Sequence, residues 1–206
     1  MKKTISAFSF VLLSFSISMA QIMSPFQKSF FGVKVGGNFS SYYGSDAKDA
    51  NAKGRFSYCF GLYNTNRINE TVAIEAELLY TDKGAKLSSY DPYYNISHNE
   101  EQQLSYLQFP LLLRLYTTEE LISPFLEVGP TVAVNTSAKY KGDINGESYS
   151  GTLSHVNKTE ITFIVGGGFE TTKFNCGLRY DFGTSDIRDH VSAKNSTYQL
   201  QAGYKL

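Results

Sequence analysis

The sequence has no tryptophan, only two cysteines and three histidines, and its 19 basic residues are offset by 19 acidic ones. Two cysteines, Cys59 and Cys176, are too few for a disulfide scaffold in an exported chain. With the charges cancelled, nothing points to nucleic acid or an anionic surface as a partner. The histidines, His98, His155 and His190, fit no metal-ligand spacing, so no metal or other cofactor is expected. Ser154 precedes His155, but adjacent residues rarely converge as a nucleophile and its base. Beyond the first twenty residues there is no long apolar run, and the mean hydropathy is −0.24. That excludes a helical membrane protein. It leaves a membrane β-barrel open, because barrel strands alternate and average out as polar.

What is present begins with an export signal. Lys2 and Lys3 precede an apolar and serine-rich stretch over residues 5–17, followed by Ser18-Met19-Ala20. Small residues at those places predict cleavage between Ala20 and Gln21. The expected organisation is a signal peptide over 1–20, a short tail over 21–29 and one β-domain over 30–206. Nothing in the sequence suggests a further domain.

Eight stretches of about ten residues alternate with period two. In FFGVKVGGNF, Phe31, Val33, Val35 and Phe39 share one face, opposite Lys34 and Asn38. TVAIEAELLY sets Val72, Ile74, Leu78 and Tyr80 against Glu75 and Glu77. The run YLQFPLLLRLY, with its consecutive leucines, resolves the same way, because Leu107, Leu111, Leu113 and Leu115 share a face that excludes Arg114. The polar faces of later stretches carry Glu127, Glu170, Arg179, Asp181 and Lys205. Connections after odd strands, over 41–55, 82–103, 137–158 and 183–195, are long and polar, whereas those after even strands are short. This is the signature of an all-β, eight-stranded, antiparallel up-and-down transmembrane barrel with both termini in the periplasm and four long loops outside.

Aromatic residues support an outward apolar face. Phe39, Phe56, Tyr80, Phe182 and Tyr198 fall near one rim, and Phe31, Phe169, Phe174 and Tyr204 near the other, as two interfacial girdles. The other face would then enclose a charge network of Lys34, Glu75, Glu77, Arg114, Glu127, Glu170, Arg179, Asp181 and Lys205. An enclosed arginine needs a partner, so Arg114 is expected to pair with Glu75, Glu127 or both, which flank it at similar height. Cys59 should point inward and Cys176 toward lipid, a geometry that forbids a disulfide between them. Pro110 and Pro130 predict bulges or irregular pairing. The end of the chain, Gly203, Tyr204 and Leu206, reads as the terminal-strand signal for membrane insertion.

YLQFPLLLRLY resembles the "YLxIPLLLKY" signature of the Bacteroidetes-type outer-membrane β-barrel family, also called porin-family or PorT-like. Tyr106, Leu107, Pro110, Leu111, Leu112, Leu113 and Tyr116 match, while Phe109 and Arg114 replace isoleucine and lysine. GVKVGGNFS, PFLEVGPTVAV and GYKL are similar to that family as well. The resemblance implies an eight-stranded barrel in the outer membrane of a Gram-negative bacterium, embedded in its lipid and inserted by barrel-assembly machinery. It carries no catalytic or binding residues across. Eight strands enclose a space that side chains roughly fill. The expected role is therefore non-enzymatic, with a narrow charge-paired interior and outer loops for surface contact or envelope integrity with an unidentified extracellular or periplasmic partner. Tyr42-Tyr43 and the Tyr90–Tyr94 segment offer contact surface or local packing. The alternatives are a small-solute porin, a type IX secretion accessory barrel, a lipid-modifying barrel enzyme and a soluble lipocalin-like ligand binder.

Overall fold

The computed structural model describes residues 29–91, 93, 96–117, 121–144, 146–188 and 192–206. Ala20, Gln21 and the rest of the expected signal peptide, the tail up to residue 28, and His190 lie outside the described residues.

Among the described residues there are nine strands. They are β1 (Ser29–Tyr43), β2 (Arg55–Arg67), β3 (Val72–Asp91), β4 (Ile96–Tyr116), β5 (Ser123–Ile144), β6 (Glu147–Thr152), β7 (Thr159–Glu170), β8 (Phe174–Gly183) and β9 (Lys194–Lys205). A short helix, α1 (Ser45–Asp49), follows β1. Every strand pairs antiparallel with its neighbours, in the order β4-β3-β2-β1-β9-β8-β7-β5, and β4 pairs with β5 to close a ring of eight. The first and last barrel strands zip together, with Val33 opposite Tyr204 and Phe39 opposite Tyr198.

Alternation sorts the two faces as the sequence implies. Phe56 and Leu200 are 81% and 67% exposed on the outside, while Lys34 and Gln199 are each 1% exposed inside. Cys59 is buried in the lumen and Cys176 is exposed outside, and both are free thiols. The outer girdle packs ring on ring, with Phe39 4.8 Å from Phe56 and Tyr180 4.8 Å from Tyr198. At the other rim Phe174 and Tyr204 lie 5.2 Å apart. Both described ends of the chain lie at the end with the short turns, where the Leu206 N–H donates to the Phe31 carbonyl at 2.9 Å.

Three features depart from the sequence reading, and the prolines meet one of its two alternatives. Ser29, placed in the tail, already pairs with Asn66 in β1. Residues 82–103 are mostly strand: β3 runs 20 residues and β4 21, pairing out to Asp91 and Ile96. Residues 137–158 likewise extend β5 to 22 residues and add β6, which folds back on it. A membrane strand needs only about 9–11 residues, so roughly half of each long strand stands beyond the apolar band. Two of the four expected loops are therefore an outer sheet of β3 to β6, and His98 sits on a strand. At the prolines the expected irregular pairing is found, without a bulge. The β3–β4 ladder lapses opposite Pro110 and the β4–β5 ladder opposite Pro130, yet the register is unchanged across both gaps. The missing N–H donors thus leave absent rungs, and the only bulge in that ladder lies at Ser105/Tyr106. Finally, the barrel mouth is covered by a small apolar core. Ala47 of α1, Leu104, Tyr106, Ala133, Ala138, Ile187 and Ala193 pack together over the lumen, and Tyr42 packs against them.

Candidate functional site

The inward positions of the ring build the most charged region of the molecule. All nine residues expected in the network are buried, and they fall on three levels. At the short-turn end, Glu170 accepts from Lys205 Nζ at 2.8 Å, from the Tyr116 hydroxyl at 2.9 Å and from Arg67 Nη2 at 3.3 Å. In the middle, Lys34, Arg114 and Arg179 meet Glu75, Glu77 and Glu127. Near the mouth, Lys83 Nζ donates to Asp181 at 2.8 Å and Gln108 Nε2 donates to the same oxygen at 3.1 Å.

Three cations and three carboxylates make the middle level neutral. Arg114 lies between Glu75 at 2.7 Å and Glu127 at 2.9 Å, with Phe125 against its guanidinium at 4.2 Å. Arg179 forks onto Glu77 at 2.7 and 2.8 Å and also bonds Glu127. Lys34 joins Glu75, at 2.8 Å, to Glu77. The Thr65 hydroxyl donates to Glu75 at 2.6 Å. Each carboxylate therefore has more than one cationic or hydroxyl donor, which is what allows charges to persist in a site this buried.

Ring order gives these pairs their consequence. β3 and β8 are four places apart among eight strands, and so are β2 and β7. The pairs Arg179–Glu77 and Lys83–Asp181 both join β8 to β3, and Arg67–Glu170 joins β2 to β7. Each of the three levels is thus bridged straight across the lumen. Leu79, Leu112 and Ile164 also point inward and fill the space between the levels.

The sequence reading missed Lys83, Arg67, Arg55 and Asp82. The period-two parity that puts Glu75 and Glu77 inside also puts Lys83 inside, but the polar run from Asp82 reads as loop in the sequence. Arg55 donates to Asp82 at 3.0 Å and to Glu101 at 2.9 Å, tying the outer sheet to the mouth. Burial alone would raise the Glu101 carboxyl. The hydrogen bond from Arg55 and the charge of Lys141 outweigh it and hold that group below its usual range.

The outer sheet carries a groove of about 650 Å³ lined in part by Lys53, Lys86, Glu100, Lys141 and Tyr149. Tyr149 packs on His98 at 5.6 Å between ring centres, and its hydroxyl lies 2.9 Å from His98 Nε2. Tyr43 turns back to the barrel, donating its hydroxyl to the Gly183 carbonyl, so the Tyr42-Tyr43 pair acts in packing. Tyr93 is exposed, while Tyr94 lies outside the described residues. Among the described residues no group of three or more His, Cys, Asp or Glu side chains is arranged to hold a metal ion. Gly203 abuts the Asn175 amide, and Tyr204 and Leu206 face outward at the short-turn rim.

Residues 19–189 match the family model described as "Outer membrane protein beta-barrel domain". The chain belongs to this family. This outer-membrane barrel accordingly resides in the outer membrane of a Gram-negative bacterium, with its short turns and both described ends in the periplasm. No curated protein sequence matches it. Solved structures similar to this barrel include Ail, the attachment invasion locus protein of Yersinia pestis, at 15% identity, covering 87% of this chain and 99% of that one with a TM-score of 0.46. Neisserial surface protein A is 13% identical, over 85% of this chain and 97% of that one, with a TM-score of 0.48. The outer membrane enzyme PagL is also 13% identical, over 82% and 99%, with a TM-score of 0.43.

Proposed function

We propose that this barrel neither conducts nor catalyses, and that it serves as a membrane anchor presenting an outer sheet for contact with another surface molecule. The observation that carries the reading is the ion pairing across the full lumen at three levels. A solute path would have to break buried pairs whose loss costs about 3–5 kcal/mol each. The sheet of β3 to β6 adds support, since it extends well beyond the apolar band and carries a mixed-charge groove with tyrosines on its face. We further propose that the chain falls in the Bacteroidetes-type, PorT-like branch of the family, on the strength of YLQFPLLLRLY and the GYKL end. Leu206 and its neighbours would then present the insertion signal to the assembly machinery.

Planar-bilayer recording of the refolded barrel and of Arg179→Ala tests the closed lumen. The wild type should be silent, and so should the variant, because the Lys83–Asp181 and Arg67–Glu170 bridges and the apolar cover still close the lumen. Steady ohmic current in the wild type would replace this reading with that of a small-solute porin.

A further inference from the structure

Above the membrane the sheet of β3 to β6 has two edges, and they are built differently. On the β3 side the Lys53 N–H donates to the Lys86 carbonyl at 2.7 Å, and the Lys86 N–H returns the bond to the Lys53 carbonyl at 3.0 Å. That bridge covers the strand and sets two exposed lysines beside it. On the other side β6 pairs with β5 and, among the described residues, with no other strand. Alternate residues of its six, Glu147–Thr152, therefore turn N–H and C=O groups to an open side. Natural sheets blunt such an edge with lysine, proline or a bulge. ESYSGT holds neither lysine nor proline, and its register with β5 runs unbroken from Lys139 opposite Thr152 to Ile144 opposite Glu147.

The open strand is also braced. Tyr140 lies across Gly151 and Tyr149 across Gly142, where an added Cβ would stand 2.6 and 2.5 Å from the respective hydroxyl oxygens. The two rings are 5.9 Å apart and hold the hairpin from one face. Ser148, Ser150 and Thr152 occupy the other face, opposite Asp143, Lys141 and Lys139 of β5. A strand laid along this edge would meet one aromatic face and one polar face, so it should alternate aromatic or β-branched residues with polar ones. A second copy of this chain does not fit. Two copies in one membrane stand the same way up, so a two-fold axis would bring their β6 strands together parallel and at equal heights. Parallel strands bond on a slant and need their facing residues offset along the strand.

We propose that the free edge of β6 takes up an extended, proline-free segment of another protein as a further strand of the outer sheet. Backbone hydrogen bonds supply the affinity, and Tyr149 on one face with Ser148 and Ser150 on the other sets the side-chain preference. Edge pairing of this kind rests on the outer sheet being a contact surface, as read above, and it specifies the partner. The barrel in lipid nanodiscs should be titrated with a synthetic peptide copying residues 139–144, a strand whose side chains already fit β6 in antiparallel register. Amide exchange is followed residue by residue by NMR. With the peptide at about ten times its Kd, alternate β6 amides should exchange about tenfold more slowly. The same peptide N-methylated at two adjacent central residues, which spoils both of its edges, should bind about tenfold or more weakly. Absence of binding at millimolar peptide would overturn the proposal. Binding that leaves β6 exchange unchanged, or that N-methylation does not weaken, would overturn it too, because the peptide would then lie on the face of the sheet. That result would leave the sheet a contact surface, and bilayer current bears only on the lumen, so the three ideas fail separately.

Discussion

Arg179 shows how much one side chain carries here. It touches Glu77 and Glu127 from the opposite wall and its neighbourhood, and removing it leaves two buried carboxylates short of a partner. Arg179→Ala should lower stability by about 3–5 kcal/mol in urea unfolding of the folded barrel. Arg179→Lys should recover little of that loss, because a point charge cannot fork onto two carboxylates. On the outer face the sign of the rule reverses. Leu111 faces lipid near mid-membrane, and Leu111→Arg should cost about 2–4 kcal/mol. A matching change at Glu147, in the outer hairpin, should stay within roughly 0.5 kcal/mol. Equal effects at Leu111 and Glu147 would contradict the topology. At this scale the sequence showed which face each residue takes, because period two leaves no choice once a few apolar positions are known. The partners of Arg114 were visible from the heights of Glu75 and Glu127. Arg67 and Lys83 were not, since pairing across a ring depends on how many strands separate two walls.

The outer sheet is where reading elements from sequence fell short. Residues 82–103 are polar on both sides, so alternation leaves no trace, and strand structure there is inherited from the barrel hairpin below. β6 pairs with β5 alone. Replacing residues 145–150 with a short turn should therefore leave the heat resistance of the barrel nearly unchanged on gel electrophoresis, while a comparable cut in β9 should abolish folding. The link from Arg55 to Glu101 is sensitive to acid. The Glu101 carboxyl is held below its ordinary value in the folded protein, so its contribution is complete above the unfolded value of about 4.3 and fades as pH falls through the folded one. Hydrogen exchange in the upper halves of β3 and β4 should quicken below about pH 4, ahead of the membrane band. Glu101→Gln should remove that difference between the two regions.

For the whole molecule, hydrophobic burial is inverted. Apolar side chains face lipid, and the interior is held largely by ion pairs and hydrogen bonds, with a small apolar core at the mouth and a smaller cluster of Ala73, Tyr116 and Phe125 near the short turns. A closed ring leaves no unpaired edge in the membrane, which is why the first and last barrel strands must meet. Alternation, spacing and the count of ten-residue stretches were enough, on the sequence alone, to determine the eight-stranded class, the two faces and the inward charges, because each follows from local geometry repeated along a strand. Only the tertiary structure decided which charges face one another across the lumen, that the outer connections form a sheet, and that an apolar cover sits over the mouth. Those facts depend on ring order and strand stagger, which bring together residues 98 or more positions apart, as in Lys83 and Asp181.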